Sequence, residues 1–199
     1  RRFTPDEQII DQKSESRDVY FLTSGRVRVV SYTLSGREVA LEDILPGGYF
    51  GELAALDGRP RSSSVVAVED SDVSKMAPER FLKVLQQYPD VSLKVMINLA
   101  SIIRNATDRI VDLSTMGANN RVHGEILRQA MAAKTDENTA KISPIPVHSD
   151  MASRASTTRE TVARVMNDLA RKGVVRREKD CLIVCDVDEL QSLVEMVRG

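Results

Sequence analysis

The sequence predicts an α+β chain in three parts. These are a roll of short antiparallel strands over residues 1–90, one long helix over 91–116, and, over 117–199, helices joined by a turn and followed by a β-hairpin. Three observations carry this. Up to about residue 75 the apolar stretches are short and closely punctuated by glycine turns, the pattern of a jelly roll or barrel. From Val91 to Met116 there is neither proline nor glycine, and apolar residues recur at alternating spacings of three and four. Beyond His148 a short helical segment, a Ser-Thr turn, a longer amphipathic segment and an alternating hairpin follow in close order.

The strands come first. Val19–Leu22, Gly25–Tyr32 and Val39–Leu45 alternate or run apolar, and Ser24-Gly25, Ser35-Gly36 and Pro46-Gly47-Gly48 break them. Ser62–Val68 and Asp72–Met76 extend the series. Between them lies Phe50-Gly51-Glu52-Leu53-Ala54-Ala55-Leu56-Asp57-Gly58-Arg59-Pro60-Arg61-Ser62-Ser63-Ser64, which joins a glycine turn, an acid of buried type, small residues and an arginine. A ligand with a phosphate beside a ribose hydroxyl needs such a set. Backbone amides and Arg61 take the anion through charge-assisted bonds, Glu52 accepts from a hydroxyl, and small side chains let the backbone approach. The plain alternative is a strand-to-helix connection with a surface arginine.

Pro78 opens a short helix that ends near Pro89. On the long helix, Met96, Leu99, Ile103, Ala106, Ile110 and Leu113 form a coiled-coil seam between polar neighbours, which predicts a homodimer. Ile97, Ile102 and Val111 form a flank suited to packing on the roll. The alternative is a helix buried in its own core. Gly117-Ala118-Asn119-Asn120 interrupts the helix and is expected to be a hinge, with asparagine capping a helix over Arg121–Ala133. A polar loop through residues 134–141 follows.

The C-terminal elements begin with a short helix capped at His148-Ser149-Asp150 and running to Ala155, then a turn at Ser156-Thr157. The helix over Thr158–Gly173 turns Val162, Val165, Met166 and Leu169 inward and exposes Thr158, Arg159, Glu160 and Arg164. Val174–Val184 reads as a hairpin, completing a winged helix-turn-helix whose second helix would enter a DNA major groove. Net charge is only -1, but between Met151 and Asp180 eight basic residues face four acidic ones, which suits a polyanionic partner. Arg154, Lys172 and Arg176 are the expected phosphate contacts. For Arg159 and Glu160 the alternative is an intrahelical ion pair at the surface.

Other classes find little here. No apolar run is long enough to cross a membrane, and no signal peptide is visible. The chain begins at Arg1 rather than methionine, which implies residues upstream. Cys181 and Cys185 lie four apart in a strand, on the order of 13 Å, too far for a disulfide, which favours a reducing cytoplasm. His123 and His148 sit in separate elements with no nucleophile motif, so neither an enzyme nor a metal site is expected.

The segment from Phe50 to Ser64 resembles the phosphate-binding cassette of cyclic-nucleotide-binding domains, and Arg159-Glu160-Thr161-Val162-x-Arg164 resembles the recognition helix of bacterial cyclic AMP receptor proteins. Both occur in the expected order around the long helix, so the resemblance covers essentially the whole chain. It implies a cyclic-nucleotide-binding β-roll, a dimerisation helix and a winged helix-turn-helix, working as a ligand-switched homodimeric transcription regulator. Gly51, Glu52, Leu53, Ala54, Arg61, Ser62 and Ser63 would form the ribose-phosphate site, with Thr107 reaching the purine across the seam. Double-stranded DNA carrying a palindrome with TGTGA-like half-sites, and RNA polymerase, would be partners. Two positions depart from the family pattern. Ala106-Thr107 stands where a Thr-Ser pair is common, which leaves cyclic GMP beside cyclic AMP as ligand. Gly117 stands where an aspartate cap is usual. Within the superfamily, haem or iron–sulfur sensors are the rival reading, although cluster binding takes several cysteines and both cysteines here lie in the wing. A constitutive architectural protein with a vestigial cassette is the other rival.

Overall fold

The structure, a computed structural model, describes residues 1–34, 36, 38–133 and 138–198. Ser35 of the expected Ser35-Gly36 turn and residues 134–137 of the expected polar loop lie outside the described residues. The chain divides into two compact units, Arg1–Ile102 and Ile103–Gly199.

The first unit opens with β1 (Arg2–Phe3), β2 (Gln8–Ile10), β3 (Val19–Ser24), β4 (Val27–Tyr32), β5 (Glu38–Ile44) and β6 (Tyr49–Phe50). The helix α1 (Glu52–Asp57), β7 (Ser64–Ala67) and β8 (Ser71–Met76) follow. They form two four-stranded antiparallel sheets, ordered β1-β8-β3-β6 and β2-β7-β4-β5. This is the expected roll. Alternation buries one face of each sheet. Phe3, Ile10, Leu22, Val27, Phe50, Val65, Ala67 and Val73 meet in one core cluster. On β4 and β5 the register sets Arg28 opposite Asp43, and the buried guanidinium donates to that carboxylate at 2.7 Å. Gly25 holds the β3–β4 turn at φ 84°, where a Cβ would stand 2.2 Å from the Asp70 carbonyl oxygen.

Helix α2 (Pro78–Gln87) starts on its proline, and α3 (Pro89–Thr115) is 27 residues long. Val95 joins Phe81, Val19 and Ala55 in a second cluster, with Leu99 partly buried against it. Of the flank expected on the roll, Ile102 is half-buried and the other two residues face solvent. Ile97 is 60% exposed and Val111 47% exposed. Val95 and Leu99, one turn apart, take the inner face instead, because a helix advances about 100° per residue and cannot also turn Ile97 inward. Leu99, a residue of the expected seam, thus packs on this cluster. Met96, Ile103, Ala106, Ile110 and Leu113 are exposed in the single chain, so the alternative of a helix buried in its own core does not hold for this face.

The second unit continues through α4 (Ala118–Ala132), β9 (Ala140–Ile142), α5 (His148–Arg154), α6 (Arg159–Arg171), β10 (Val175–Arg177), β11 (Leu182–Val184) and α7 (Val187–Arg198). The break after α3 is shorter than expected. Only Met116 and Gly117 leave the helix, while Ala118, Asn119 and Asn120 already turn with α4. Gly117, in extended backbone, is the N-cap, and no side chain caps the helix, so neither asparagine plays the expected part. The cap expected from His148-Ser149-Asp150 is likewise replaced by Val147 without a side-chain bond. The hairpin gains a third strand, in the order β10-β11-β9. Val187, Leu190 and Val194 seat α7 on a core of Val122, Ile126, Met151, Val162, Val165, Leu169 and Leu182. No described helix is long and apolar enough to cross a membrane.

Candidate functional site

The cassette is built around one left-handed glycine. Gly51 follows β6 at φ 83° and caps the N-terminus of α1. A Cβ there would lie 2.6 Å from Arg61 Nη1 and 3.0 Å from the Asp18 carbonyl oxygen, so both backbone conformation and space demand glycine. Arg61 is no surface residue, being 5% exposed. Its Nη1 donates to Gly51 O at 2.8 Å, and its Nη2 to Ser16 Oγ at 2.9 Å and Asp18 O at 2.8 Å. Its Nε is buried without a partner among the described residues. Burial lowers the pKa of the guanidinium, opposed by Tyr20, Asp18 and Glu52. The arginine is thus fixed by acceptors of the roll and keeps a donor over, which suits an anion.

Glu52, 7% exposed, sits in the first turn of α1, where the helix dipole favours a carboxylate. Burial pushes its pKa up, its own backbone amide opposes this, the Glu42 charge adds to the rise, and Arg61 draws it down. Leu53 is 40% exposed, whereas Ala54 is 3% exposed. The Ala54 side chain therefore belongs to the core rather than to a ligand surface, and only its backbone is left for the role expected of it. Ser62 is exposed and Ser63 half-buried. The Ser62 carbonyl accepts from Gln12 Nε2 at 3.1 Å. Ser16, Asp18 and Glu42 escaped the sequence reading because they come from other strands and loops, with no motif to mark them. Thr107, in the second unit, is exposed, and its hydroxyl donates to Ile103 O at 3.0 Å.

The second candidate surface is the start of α6. Thr158 is the N-cap, accepting from Thr161 N at 3.3 Å, so its hydroxyl is committed to the helix. Arg159, Glu160 and Arg164 project into solvent as expected. No ion pair joins Arg159 to Glu160 among the described residues. The Glu160 carboxyl is held below its usual range, first by the Thr158 hydroxyl. Lys172 and Arg176 are exposed, with Arg176 3.1 Å from Glu178. Arg154 departs from expectation. Its side chain, 26% exposed, turns inward with Nε 3.8 Å from Glu125 Oε1, because a carboxylate that is 2% exposed needs cations around it.

Between α4 and α6, a cleft of about 350 Å³ is lined by Asn119, His123, Val165, Asp168, Leu169, Arg171 and Lys172. His123 Nδ1 is buried without a partner among the described residues. Burial, then the Lys172 charge, pull the imidazole below its ordinary pKa, while Asp168 opposes them. The folded state therefore favours neutral His123, and an unfolded histidine titrates near 6.5. Stability from this residue is present above that pH and is lost as pH falls from there through the lower folded value. The expected result is a thermal unfolding temperature that declines between about pH 7 and pH 5, with a shallower decline in His123→Gln. Parallel curves for the two proteins would show that His123 does not contribute.

Cys181 is buried and Cys185 half-buried, both as free thiols. No group of three His, Cys, Asp or Glu side chains is placed to hold a metal ion among the described residues.

Comparison with known proteins bears on both surfaces. The family model described as a cyclic nucleotide-binding domain matches residues 1–88, and that described as a Crp-like helix-turn-helix domain matches residues 120–193. The chain is 34% identical over 180 residues to a cyclic AMP receptor protein of Thermus thermophilus, covering 88% of this chain and 79% of that protein. It is 26% identical over 173 residues to a CRP-like cAMP-activated global transcriptional regulator of Mycobacterium tuberculosis, covering 86% and 77%. A solved structure of a CooA variant from Carboxydothermus hydrogenoformans has the same fold, with a TM-score of 0.86 at 21% identity over 98% of this chain and 86% of that one.

Proposed function

The chain belongs to the cyclic AMP receptor protein (CRP/FNR) family of bacterial transcription regulators, and from that premise we propose that it is a homodimer switched by a cyclic nucleotide. In this reading ligand binding reorients the helix-turn-helix domains and so governs binding to a palindromic operator. The observation that carries it is the Arg61 guanidinium. It is held by three acceptors of the roll, one of them the Gly51 carbonyl at the start of α1, and its Nε has no partner among the described residues, with Glu52 in the same cassette. A cyclic phosphate would supply the missing acceptor. Glu52 would accept from the ribose 2′-hydroxyl, and Gly51 and Leu53, with Ser62 and Ser63, would close around the sugar and phosphate.

Cyclic AMP is the proposed ligand. Thr107 would meet the purine from α3 of the partner copy, accepting from the adenine amino group. Because a hydroxyl can also donate to a guanine oxygen, cyclic GMP is the second candidate. The ligand must bind the DNA-competent arrangement more tightly than the other, or it would shift nothing. The break at Met116–Gly117, extended by Ala118, Asn119 and Asn120, is the proposed hinge. The assigned domains are 1–90 for the nucleotide, 91–116 for the dimer and 117–199 for DNA. RNA polymerase is the proposed protein partner and the cytoplasm the proposed location, where both thiols would stay reduced.

On DNA, Arg159 would bond a guanine through O6 and N7, and Glu160 would accept from a cytosine amino group. Arg164, on the same helix face as Glu160, would touch a further base or the backbone. Two α6 helices about a dimer axis would read TGTGA-like half-sites one helical turn, roughly 34 Å, apart. Lys172 and Arg176 would hold phosphates. The test is a selection from randomised DNA with and without each nucleotide. Two-fold symmetric sites should be enriched only with ligand. Arg159→Ala should relax one guanine position and weaken binding by about 1–3 kcal/mol. Enriched sites without symmetry, or identical sites from Arg159→Ala, would refute the assignment.

A further inference from the structure

A cluster of charges crosses the break between α3 and the helix-turn-helix, entirely within the second unit. Its centre is Glu125 on α4, 2% exposed. Glu125 Oε2 accepts from Arg128 Nη1, and its Oε1 accepts from Gln129 Nε2 at 2.8 Å with Arg154 Nε 3.8 Å away. Arg128 Nη2 reaches back to Asp112 of α3, a buried residue, at 3.8 Å. Arg109, also of α3, donates to the Ser153 carbonyl of α5 at 3.5 Å. Burial lowers the Arg109 pKa, as do the nearby Arg128 and Arg154, while Glu125 opposes them. Two carboxylates thus hold the guanidinium groups of Arg128 and Arg154, with that of Arg109 nearby on the Ser153 carbonyl.

Arg154 lies in the last turn of α5, the first helix of the helix-turn-helix, which in such motifs crosses the DNA backbone. A half-buried arginine in that place can turn to Glu125 inside the fold or to a phosphate outside it. If Arg154 leaves, Glu125 keeps Arg128 and Gln129 and is not stranded as an unpaired buried charge. We propose that Glu125 is an internal competitor for DNA phosphate, an autoinhibitory contact that holds Arg154 against α4 and tethers the helix-turn-helix to the last turns of α3 until DNA takes the arginine over. This rests on the DNA-binding reading above.

The experiment follows binding of the full chain to two labelled duplexes, one with a TGTGA-type inverted repeat and one scrambled, across a salt series at saturating cyclic AMP. Each phosphate neutralised adds about 0.9 to the slope of log K against log salt. With Glu125→Gln, both duplexes should bind about tenfold tighter on the wild-type slope, because Arg154 reaches phosphate in either complex and only its release from Glu125 is spared. The double variant Glu125→Gln/Arg154→Gln should lose that gain and flatten the slope by about 0.9 for each Arg154 removed. Asp112→Asn, which lets Arg128 serve Glu125 alone, should raise affinity the same way by less, and it serves as the test should Glu125→Gln unfold. The proposal is overturned if folded Glu125→Gln or Asp112→Asn keeps the wild-type affinity, or if the gain survives Arg154→Gln. Wild-type protein that binds neither duplex would overturn the DNA-binding reading, and the competitor with it.

Discussion

Arg61→Gln is expected to remove measurable cyclic nucleotide binding. Truncating one partner of a buried, hydrogen-bonded charge pair costs about 2–5 kcal/mol, from roughly thirtyfold to several thousandfold in affinity. Taken from the sequence alone, this arginine meets only the ligand, and its loss should leave the fold intact. The structure alters that expectation. The guanidinium also donates to Gly51 O, Ser16 Oγ and Asp18 O. A glutamine amide cannot reach all three, so thermal unfolding should fall as well, by about 1–3 kcal/mol for acceptors left unmatched. Arg61→Lys separates the two effects, because it keeps the positive charge and loses the planar fork. Calorimetric titration of all three proteins with cyclic AMP and cyclic GMP gives the readout. Wild-type affinity in a folded Arg61→Gln protein would remove the phosphate site from this cassette.

The second large effect is expected from Ile110→Glu. Ile110 is 63% exposed and Ile103 66% exposed, and neither joins a core cluster among the described residues. In a two-fold dimer about α3 each seam residue meets its own mate or a close neighbour. A glutamate there would face a second carboxylate while both lose water, a penalty of several kcal/mol for each ion. Sedimentation should show monomers, with the thermal stability of the isolated chain little changed because the site is solvent-exposed in it. Ile103→Glu should behave alike. A variant that stays dimeric at micromolar concentration would assign the stripe to some other surface. A monomeric variant should also bind operator weakly, since each half-site would then be read alone.

Much of the fold is legible from periodicity. β3, β4, β5, β7 and β8 alternate over four to seven residues, long enough for one face to stand out. β1, β2 and β6 are two or three residues long and carry no period; the roll recruits them by pairing. The unanticipated α7 had a signal, since Val187, Leu190 and Val194 fall at helical spacing, but the chain around them is strongly acidic and polar. The cassette was legible because its residues are consecutive, and so was the exposed start of α6. The side chains that support those motifs were not. Ser16 and Asp18 are about 45 residues from Arg61 in sequence. The Glu125 partner of Arg154 was hidden for the same reason. The charge of Arg154 suggested a phosphate, and the buried carboxylate beside it in the free chain lies 29 residues earlier on another helix.

Arg121 gives the second unit a mechanical property. Its Nη1 donates to Met116 O at 2.8 Å, its Nε to Ala155 O at 2.9 Å and its Nη2 to Ser156 O at 3.0 Å. One planar group therefore pins the end of α3 and the tight corner before α6, where Ser156 is held at φ 50°. Apolar surfaces can slip past each other with little change in energy, but hydrogen bonds to three carbonyls have direction. Such a joint is expected to resist shear more than torsion about the Met116–Gly117 backbone. A small twist of the last turns of α3 would then reach the start of α6 as a rotation of the whole corner rather than as sliding between helices, much as a keyed shaft turns its wheel.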